Sequence, residues 1–237
     1  MSDILKDYLY TDIDEPVRLG FGKEVKLSPD FSIYNISGTW FWRELTNENE
    51  VNLLIKFLNE EVRTENVLVC GHGSFGLEKI SMESKISFHK PCYLVVKTDK
   101  KQYEIKTDLS IRKLGTEYID FVAETYRMIK DSPDRIKIAE EFINHGMFGG
   151  FSDDRIVGFI GVHSEGAIGM LEILPEYNHR GYGSALEMYL CNYLLSQGRI
   201  PYCNVIYDNQ ISLILQRKLN LHIFGDNHML YWGENHI

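Results

Sequence analysis

The sequence runs to 237 residues, of which 44% are hydrophobic and 25% charged, and carries a formal net charge of −9. That length allows one large domain or two small ones, with a buried core either way, and the composition is that of an ordinary globular protein. The acidic balance argues against a broad nucleic-acid surface but leaves room for one local anion site; it suits cationic ligands such as amines, although a solvated acidic exterior gives the same balance.

The N-terminus, MSDILKDYLYTDIDE, is acidic and has no signal-peptide pattern. No apolar run is long enough to span a bilayer. A cytoplasmic protein with no membrane or nucleic-acid partner is therefore expected. Cys70, Cys92, Cys191 and Cys203 are scattered and form no C-x-x-C pair, so reduced, buried thiols are expected and a metal site is not. There is no internal repeat. The polar stretch TDKKQYEIKT, at 98–107, marks a domain boundary between an N-terminal α+β domain (1–105) and a second domain (106–237).

In the first part, short strands are expected at 31–36, 67–70 and 93–97. Asn47 to Glu50 has the spacing of a capping box, and Val51, Leu54, Ile55, Leu58 and Val62 follow at helical intervals. CGHGSFG, at 70–76, reads as an ordinary glycine-rich turn carrying His72; it lacks the phosphate-binding pattern and does not obviously open a helix. Trp40, Phe41 and Trp42 read as core or interface residues.

In the second part, a strand at 109–114 precedes a helix marked by Tyr118, Ile119, Val122, Ala123, Tyr126 and Ile129. Ser132 and Pro133 start another, using Ile136, Ala139, Phe142 and Ile143 and closing at Gly146. Strands follow at 147–151, 155–163 and 167–174, with turns at Asp153-Asp154 and 164–166. A helix spans 184–197, then a strand 201–207, a helix 209–219, and strands at 221–224 and 229–232. The order is β-α-α-β-β-β-α-β-α-β-β.

The stretch 171–184, LEILPEYNHRGYGS, carries the chemistry. An apolar strand enters a turn with two glycines, and a helix leaves it. The first N–H groups of that helix lack partners within it, and its N-terminus carries partial positive charge. Gly181 and Gly183 allow close approach of the backbone to a ligand. His179 and Arg180 add charge beside what is then a site suited to a pyrophosphate. A tight strand-to-helix turn with no ligand is the other reading of the same residues.

This stretch resembles the coenzyme A-binding motif of the GNAT acetyltransferase superfamily, [Q/R]-x-x-G-x-[G/A] after a strand. Gly181 and Gly183 match; Asn178 stands at the leading Gln/Arg position. Asp208-Asn209, Ser212, Leu215 and Lys218-Leu219 resemble a later strand–helix element of the family. The likeness covers 108–232 and lies nearest the glycine N-acyltransferase-like branch. It implies a mixed α/β (α+β) fold, with a mostly antiparallel sheet flanked by helices, beside the smaller N-terminal α+β domain.

It also implies acetyl-coenzyme A as co-substrate. Ile173 and Pro175 would hold the pantetheine arm, and Asn178, His179, Arg180, Gly181, Tyr182, Gly183 and Ser184 the pyrophosphate. Asn209 would lie beside the arm. The implied activity is transfer of an acetyl or short acyl group to a small-molecule amine in a ternary complex, with the N-terminal part shaping the acceptor pocket or forming a homodimer contact.

Attack by the amine needs a proton acceptor. The family's strand glutamate would fall at Ala167, which cannot serve. Glu165, Glu172 and His163 are the candidates for catalytic base, besides ordered water. Glu172 faces the opposite side of the strand unless the strand bulges. The family's tyrosine acid falls at Gln216, which can donate a hydrogen bond but cannot protonate a thiolate; Tyr202 and Tyr207 are the alternatives. These departures keep open a coenzyme A-binding regulatory or structural protein without catalysis. Protein N-acetylation is a third reading.

Overall fold

The computed structural model describes residues 3–61 and 67–235. The first stretch comprises α1 (Asp3–Lys6), α2 (Thr11–Arg18), β1 (Gly22–Lys26), β2 (Ser32–Ile36), β3 (Thr39–Trp42) and α3 (Glu48–Glu61). Then come β4 (Leu68–His72), α4 (Leu77–Ser84), β5 (Ile86–Phe88), β6 (Cys92–Val96), β7 (Ser110–Lys113), α5 (Ile119–Thr125) and α6 (Arg135–Gly146). The rest is β8 (Met147–Ser152), β9 (Arg155–Val162), β10 (Ile168–Ile173), α7 (Tyr182–Ser196), β11 (Tyr202–Ile206), α8 (Gln210–Lys218), β12 (His222–Ile223) and β13 (Leu230–Asn235). From β7 onward the order is the expected one, on a mixed, mostly antiparallel architecture.

The chain divides into two compact units, Met1–Val96 with Asn204–Arg217 and Leu221–Ile237, and Lys97–Cys203 with Lys218–Asn220. This differs from two contiguous domains meeting at 105. The C-terminal strand β13 pairs with β4, β5 and β6 of the first unit, so backbone hydrogen bonding draws the end of the chain back to its beginning. The polar stretch after Val96 is also no free linker. Asn192 of α7 accepts from Tyr103 N at 2.7 Å and donates to Tyr103 O at 2.9 Å, and the Tyr103 hydroxyl donates to Leu219 O at 2.6 Å.

In the first unit the sheet runs β1-β2-β3-β4-β13-β6-β11, with β12 on β6 and β5 on β13. β3 and β4 are parallel, joined through α3. Val51, Leu54, Ile55 and Leu58 of α3 are buried against Trp42, Val69 and Ile80; Val62, expected to continue that face, lies outside the described residues. Trp42 is fully buried, its ring over Gly71, where a Cβ would collide with it. The 70–76 stretch does open a helix: Gly76, at φ +76°, precedes α4. His72 is buried, its Nε2 within 3.1 Å of both carboxylate oxygens of Asp12.

The order α2-β1-β2-β3-α3-β4-α4-β5 recurs as α6-β8-β9-β10-α7-β11-α8-β12. No repeat is visible in the residues, because burial patterns constrain element type and leave side-chain identity loose. The two helix starts differ in chemistry. Glu50 N donates to Asn47 Oδ1 at 3.1 Å and Thr46 N to Glu50 Oε2 at 2.7 Å, so α3 is capped by its own side chains.

The second unit holds the antiparallel sheet β10-β9-β8-β7. One face packs on α5 and α6 through Phe151, Phe159, Met147, Met170, Val122, Ala139 and Ile143. The other face meets α7, where Phe148 packs on Tyr189 and Tyr193 and Val157 on Tyr182. Helix α5 ends at Thr125, short of Ile129, because Tyr126 turns extended at ψ 111° and a turn carries the chain to α6.

All four cysteines are buried. Burial pushes the Cys92 thiol from 9.0 up to about 11 and raises Cys191 and Cys203 as well, with the charge of Glu187 adding to both. Below pH 9 both folded and unfolded chains keep the Cys92 proton; above it the unfolded chain releases its proton first. That contribution to stability is therefore complete below pH 9 and lost as pH rises towards 11. A thiol-reactive dye is expected to label no cysteine of the native protein near about pH 8 and all of them after denaturation. Immediate labelling of the native chain would contradict this packing.

Candidate active site

Helix α7 is long and firmly seated. Ala185, Leu186, Leu190, Cys191 and Leu194 are buried along it. Its N-terminus has no side-chain cap and no acidic residue in its first turn. Gly181, at φ +83°, is the residue before it, and His179 is also left-handed at φ +62°. Asn178, His179, Arg180 and Gly181 are exposed. The result is a run of outward backbone N–H groups at the positive end of a helix dipole, suited to an anion. Gly183 lies over the strand, where an added Cβ would come within 3.8 Å of Ile173 and Leu171.

The side chains here divide into those left free for a ligand and those used internally. Arg180 folds back, its guanidinium donating to Glu176 O at 3.3 Å and lying 5.2 Å from the Tyr177 ring centroid. Tyr182 is buried and donates to Asp108 at 3.2 Å, so only its backbone can serve a ligand. Ser184 is buried too, and its hydroxyl accepts from Lys218 Nζ at 3.3 Å. Lys218 thus brings a cation to the first turn of α7. It was missing from the expected site because it follows Ser184 by a whole strand and helix. Pro175 opens the short 3-10 turn Pro175–Tyr177, and Ile173 packs with Val157 and Tyr177. Asn209 belongs to the other unit, and its Oδ1 accepts from Ser212 N at 3.1 Å at the start of α8.

Strand β10 is an edge strand. Gly169 pairs with Gly161 and Glu172 with Phe159, so Met170 and Leu171 stand opposite Ile160 alone. This is a β-bulge, and Met170 in it is left-handed at φ +55°. The extra residue reverses the alternation of faces. Before the bulge, Ala167 and Gly169 share the α5/α6 face; after it, Glu172 does, opposite Phe159. The condition under which Glu172 turns to that face is met.

Glu172 is well shielded, its side chain 18% exposed. Its Oε2 lies 3.5 Å from Arg127 Nε, too long for a hydrogen bond, and has no hydrogen-bond partner among the described residues. Tyr126, on the same turn as Arg127, has its phenol pushed up to about 12 by burial, with the charge of Glu172 adding to the effect. That hydroxyl therefore stays a donor throughout the neutral range. Neither Arg127 nor Tyr126 is among the site residues expected from the sequence; both lie just beyond the end of α5.

Of the other base candidates, one lies in a turn and one in the packed layer beside the bulge. Glu165 is in the β9–β10 turn, its carbonyl accepting from the Tyr202 hydroxyl at 2.6 Å. His163 is packed edge-on to Phe142 of α6, its ring filling the space a side chain at Gly169 would need. Gln216 is buried in α8 with no hydrogen-bond partner for Oε1 among the described residues. Among those residues no group of three or more His, Cys, Asp or Glu could hold a metal ion, and no helix is long and apolar enough to cross a membrane.

Residues 115–220 match the model of the acetyltransferase (GNAT) family, a stretch just short of half the chain. No curated protein matches the sequence. Solved structures share the fold across most of the chain. A Drosophila protein aligns at 14% identity and TM-score 0.64, covering 86% of this chain and 73% of its own. A GCN5-related N-acetyltransferase from Kribbella flavida aligns at 11% identity and TM-score 0.59, covering 99% and 96%. A tandem GNAT protein from the clavulanic acid biosynthesis pathway aligns at 11% identity and TM-score 0.52, covering 98% and 96%. The chain resembles the GNAT superfamily and has its fold.

A Cβ at Gly181 would meet no atom within 4 Å, so replacement there costs backbone strain without a clash. Gly181→Val is expected to lower stability by about 1–2 kcal/mol, the cost of a left-handed branched residue, while the chain still folds. It is expected to abolish coenzyme A binding in a calorimetric titration. Unchanged affinity would remove this turn as the cofactor site.

Proposed function

We propose, from the resemblance of residues 115–220 to the GNAT acetyltransferase family, that the protein moves an acetyl or short acyl group from acyl-coenzyme A to a small-molecule amine. The family match supports acyl transfer in general. The observation that carries the finer reading is Glu172, a carboxylate with one oxygen shielded and lacking a hydrogen-bond donor, turned by the bulge onto the α5/α6 face of an edge strand.

In this reading the turn and first turn of α7 hold the pyrophosphate through backbone N–H groups from His179 to Ser184, with Lys218 and His179 adding positive charge; the Asn178 N–H already donates to Pro175 O at 3.2 Å, which leaves that residue its side chain. The pantetheine arm follows the open edge of β10 from Pro175 past Ile173. The thioester then lies near the bulge, where backbone N–H groups released from the ladder can stabilise an oxyanion. The amine attacks the thioester carbon as Glu172 takes its proton; the tetrahedral intermediate collapses and the thiolate leaves. A thiolate is a good leaving group, so a strong acid is not required. Tyr126 supplies a neutral donor beside Glu172. His163 and Glu165 then serve packing and the turn.

Gln216 and Ala167 favour a second reading, in which the chain binds coenzyme A without turnover. Thiol release from acetyl-coenzyme A across a panel of amines separates the two; tight binding with no release on any amine supports the second.

The start of α3 is capped by its own side chains and carries Glu48 and Glu50 in its first turn, which repel a pyrophosphate. Calorimetry is therefore expected to give one coenzyme A per chain. Glu172→Gln is expected to lower kcat by about 10²–10⁴-fold, as loss of a general base does, with little change in cofactor affinity. Glu165→Gln is expected to stay within about twofold of wild type, the small effect usual for a turn residue remote from the chemistry. A Glu172→Gln enzyme as fast as the wild type would remove Glu172 as base.

A further inference from the structure

The bulge in β10 carries an unusual residue at its left-handed position. Glycine is favoured there, because a Cβ crowds the following carbonyl oxygen in that conformation. Here the residue is Met170, at φ +55°. Its side chain is buried, 3% exposed, among Met147, Phe159, Phe151 and Tyr126.

The surrounding glycines explain where the side chain goes. Gly161 and Gly169 face each other across β9 and β10, leaving a hollow on the α5/α6 face. The Met170 methyl fills it, since a Cβ on Gly161 would lie 2.8 Å from Met170 Cε and 2.9 Å from Met147 Cγ. His163 fills the space over Gly169. The hollow beside the bulge is therefore closed by a flexible thioether held in a strained backbone. Glu172 follows two residues later on the same face.

We infer that Met170 sets the length of acyl group the protein accepts, restricting it to acetyl-sized chains. The inference rests on the acyl-transfer reading above. A thioester at the bulge directs its acyl group towards the hollow over Gly161, and the Met170 thioether ends that path after the first carbons. Each further methylene must displace Met170 from a filled layer, which costs as much as overpacking a core. The unbranched side chain yields to smaller replacements without a rearranged fold.

Direct binding tests this without knowledge of the amine. Coenzyme A, acetyl-coenzyme A and hexanoyl-coenzyme A are titrated calorimetrically into the wild type, Met170→Ala and Met170→Leu. The wild type is expected to bind hexanoyl-coenzyme A at least about tenfold more weakly than acetyl-coenzyme A, the penalty of forcing methylenes into a filled site. Met170→Ala is expected to abolish that difference while coenzyme A itself binds as before. Met170→Leu, which keeps the bulk, is expected to retain the difference, and normal coenzyme A binding by Met170→Ala shows that the effect of alanine is not loss of fold. A difference unchanged in Met170→Ala, with coenzyme A bound normally, overturns the role of Met170 alone. Failure of all three ligands to bind the wild type overturns the cofactor site and this inference with it.

Discussion

Along β9 and β10 the antiparallel ladder is in register at Ile168 and Gly169, breaks, and resumes at Glu172. The site depends on that break. An unbroken strand would leave Glu172 on the α7 face, among the apolar side chains that seat the helix. It would also commit the backbone of Met170 and Leu171 to β9. With one extra residue, the same strand presents Leu171 and Ile173 to α7 and Met170 and Glu172 to α5 and α6. An edge strand tolerates the break because its outer side has no neighbour whose pairing is spoiled.

The helix that follows is equally dependent on what it leaves unmade. An uncapped N-terminus forgoes about 1 kcal/mol. Four side chains of α7, Leu186, Leu190, Cys191 and Leu194, are at most 1% exposed, and burying each leucine alone is worth about 1.5–3 kcal/mol. Packing therefore holds the helix without a cap, and its first N–H groups remain available to an anion. Helix α3 occupies the matching place in the first half of the chain's repeated order, but there Glu50 N donates to the Asn47 side chain and the Glu50 carboxylate takes Thr46 N just before the helix. One fold thus carries two helix starts, of which one is closed by its own side chains and the other is left open.

Much of this was legible in the residues. Helical spacing of apolar positions gave α3, α6 and α7, and two glycines before an apolar helix gave the open turn. The capping box before α3 was read from Asn47 and Glu50. The bulge was not legible: its left-handed residue is Met170, and nothing in LEILPEY distinguishes a bulged strand from a regular one. Counting by twos therefore assigned faces on the wrong parity beyond Gly169. Lys218, Arg127 and Tyr126 were missed because tertiary folding alone brings them in. The division of the chain was hidden for the same reason, since β13 returns to β4 across more than half the sequence. The repeat of element order was hidden because the two copies share burial and not side chains.

The two departures from the family pattern, Ala167 and Gln216, take on a different weight once the parity is known. Ala167 lies before the bulge, opposite His163, whose N–H donates to Ala167 O at 2.9 Å. Its small side chain leaves the imidazole room to pack on Gly169 and Phe142. A glutamate there would crowd a filled layer and bury a second carboxylate on the face Glu172 already occupies. Two like charges in one shielded site raise each other's cost. On the proposed acyl-transfer reading, the loss of a carboxylate before the bulge and the presence of one after it amount to one proton acceptor moved along the strand. Gln216 fits the same displacement, because the neutral phenol of Tyr126 stands on the Glu172 side of the sheet and a thiolate needs no strong acid to leave.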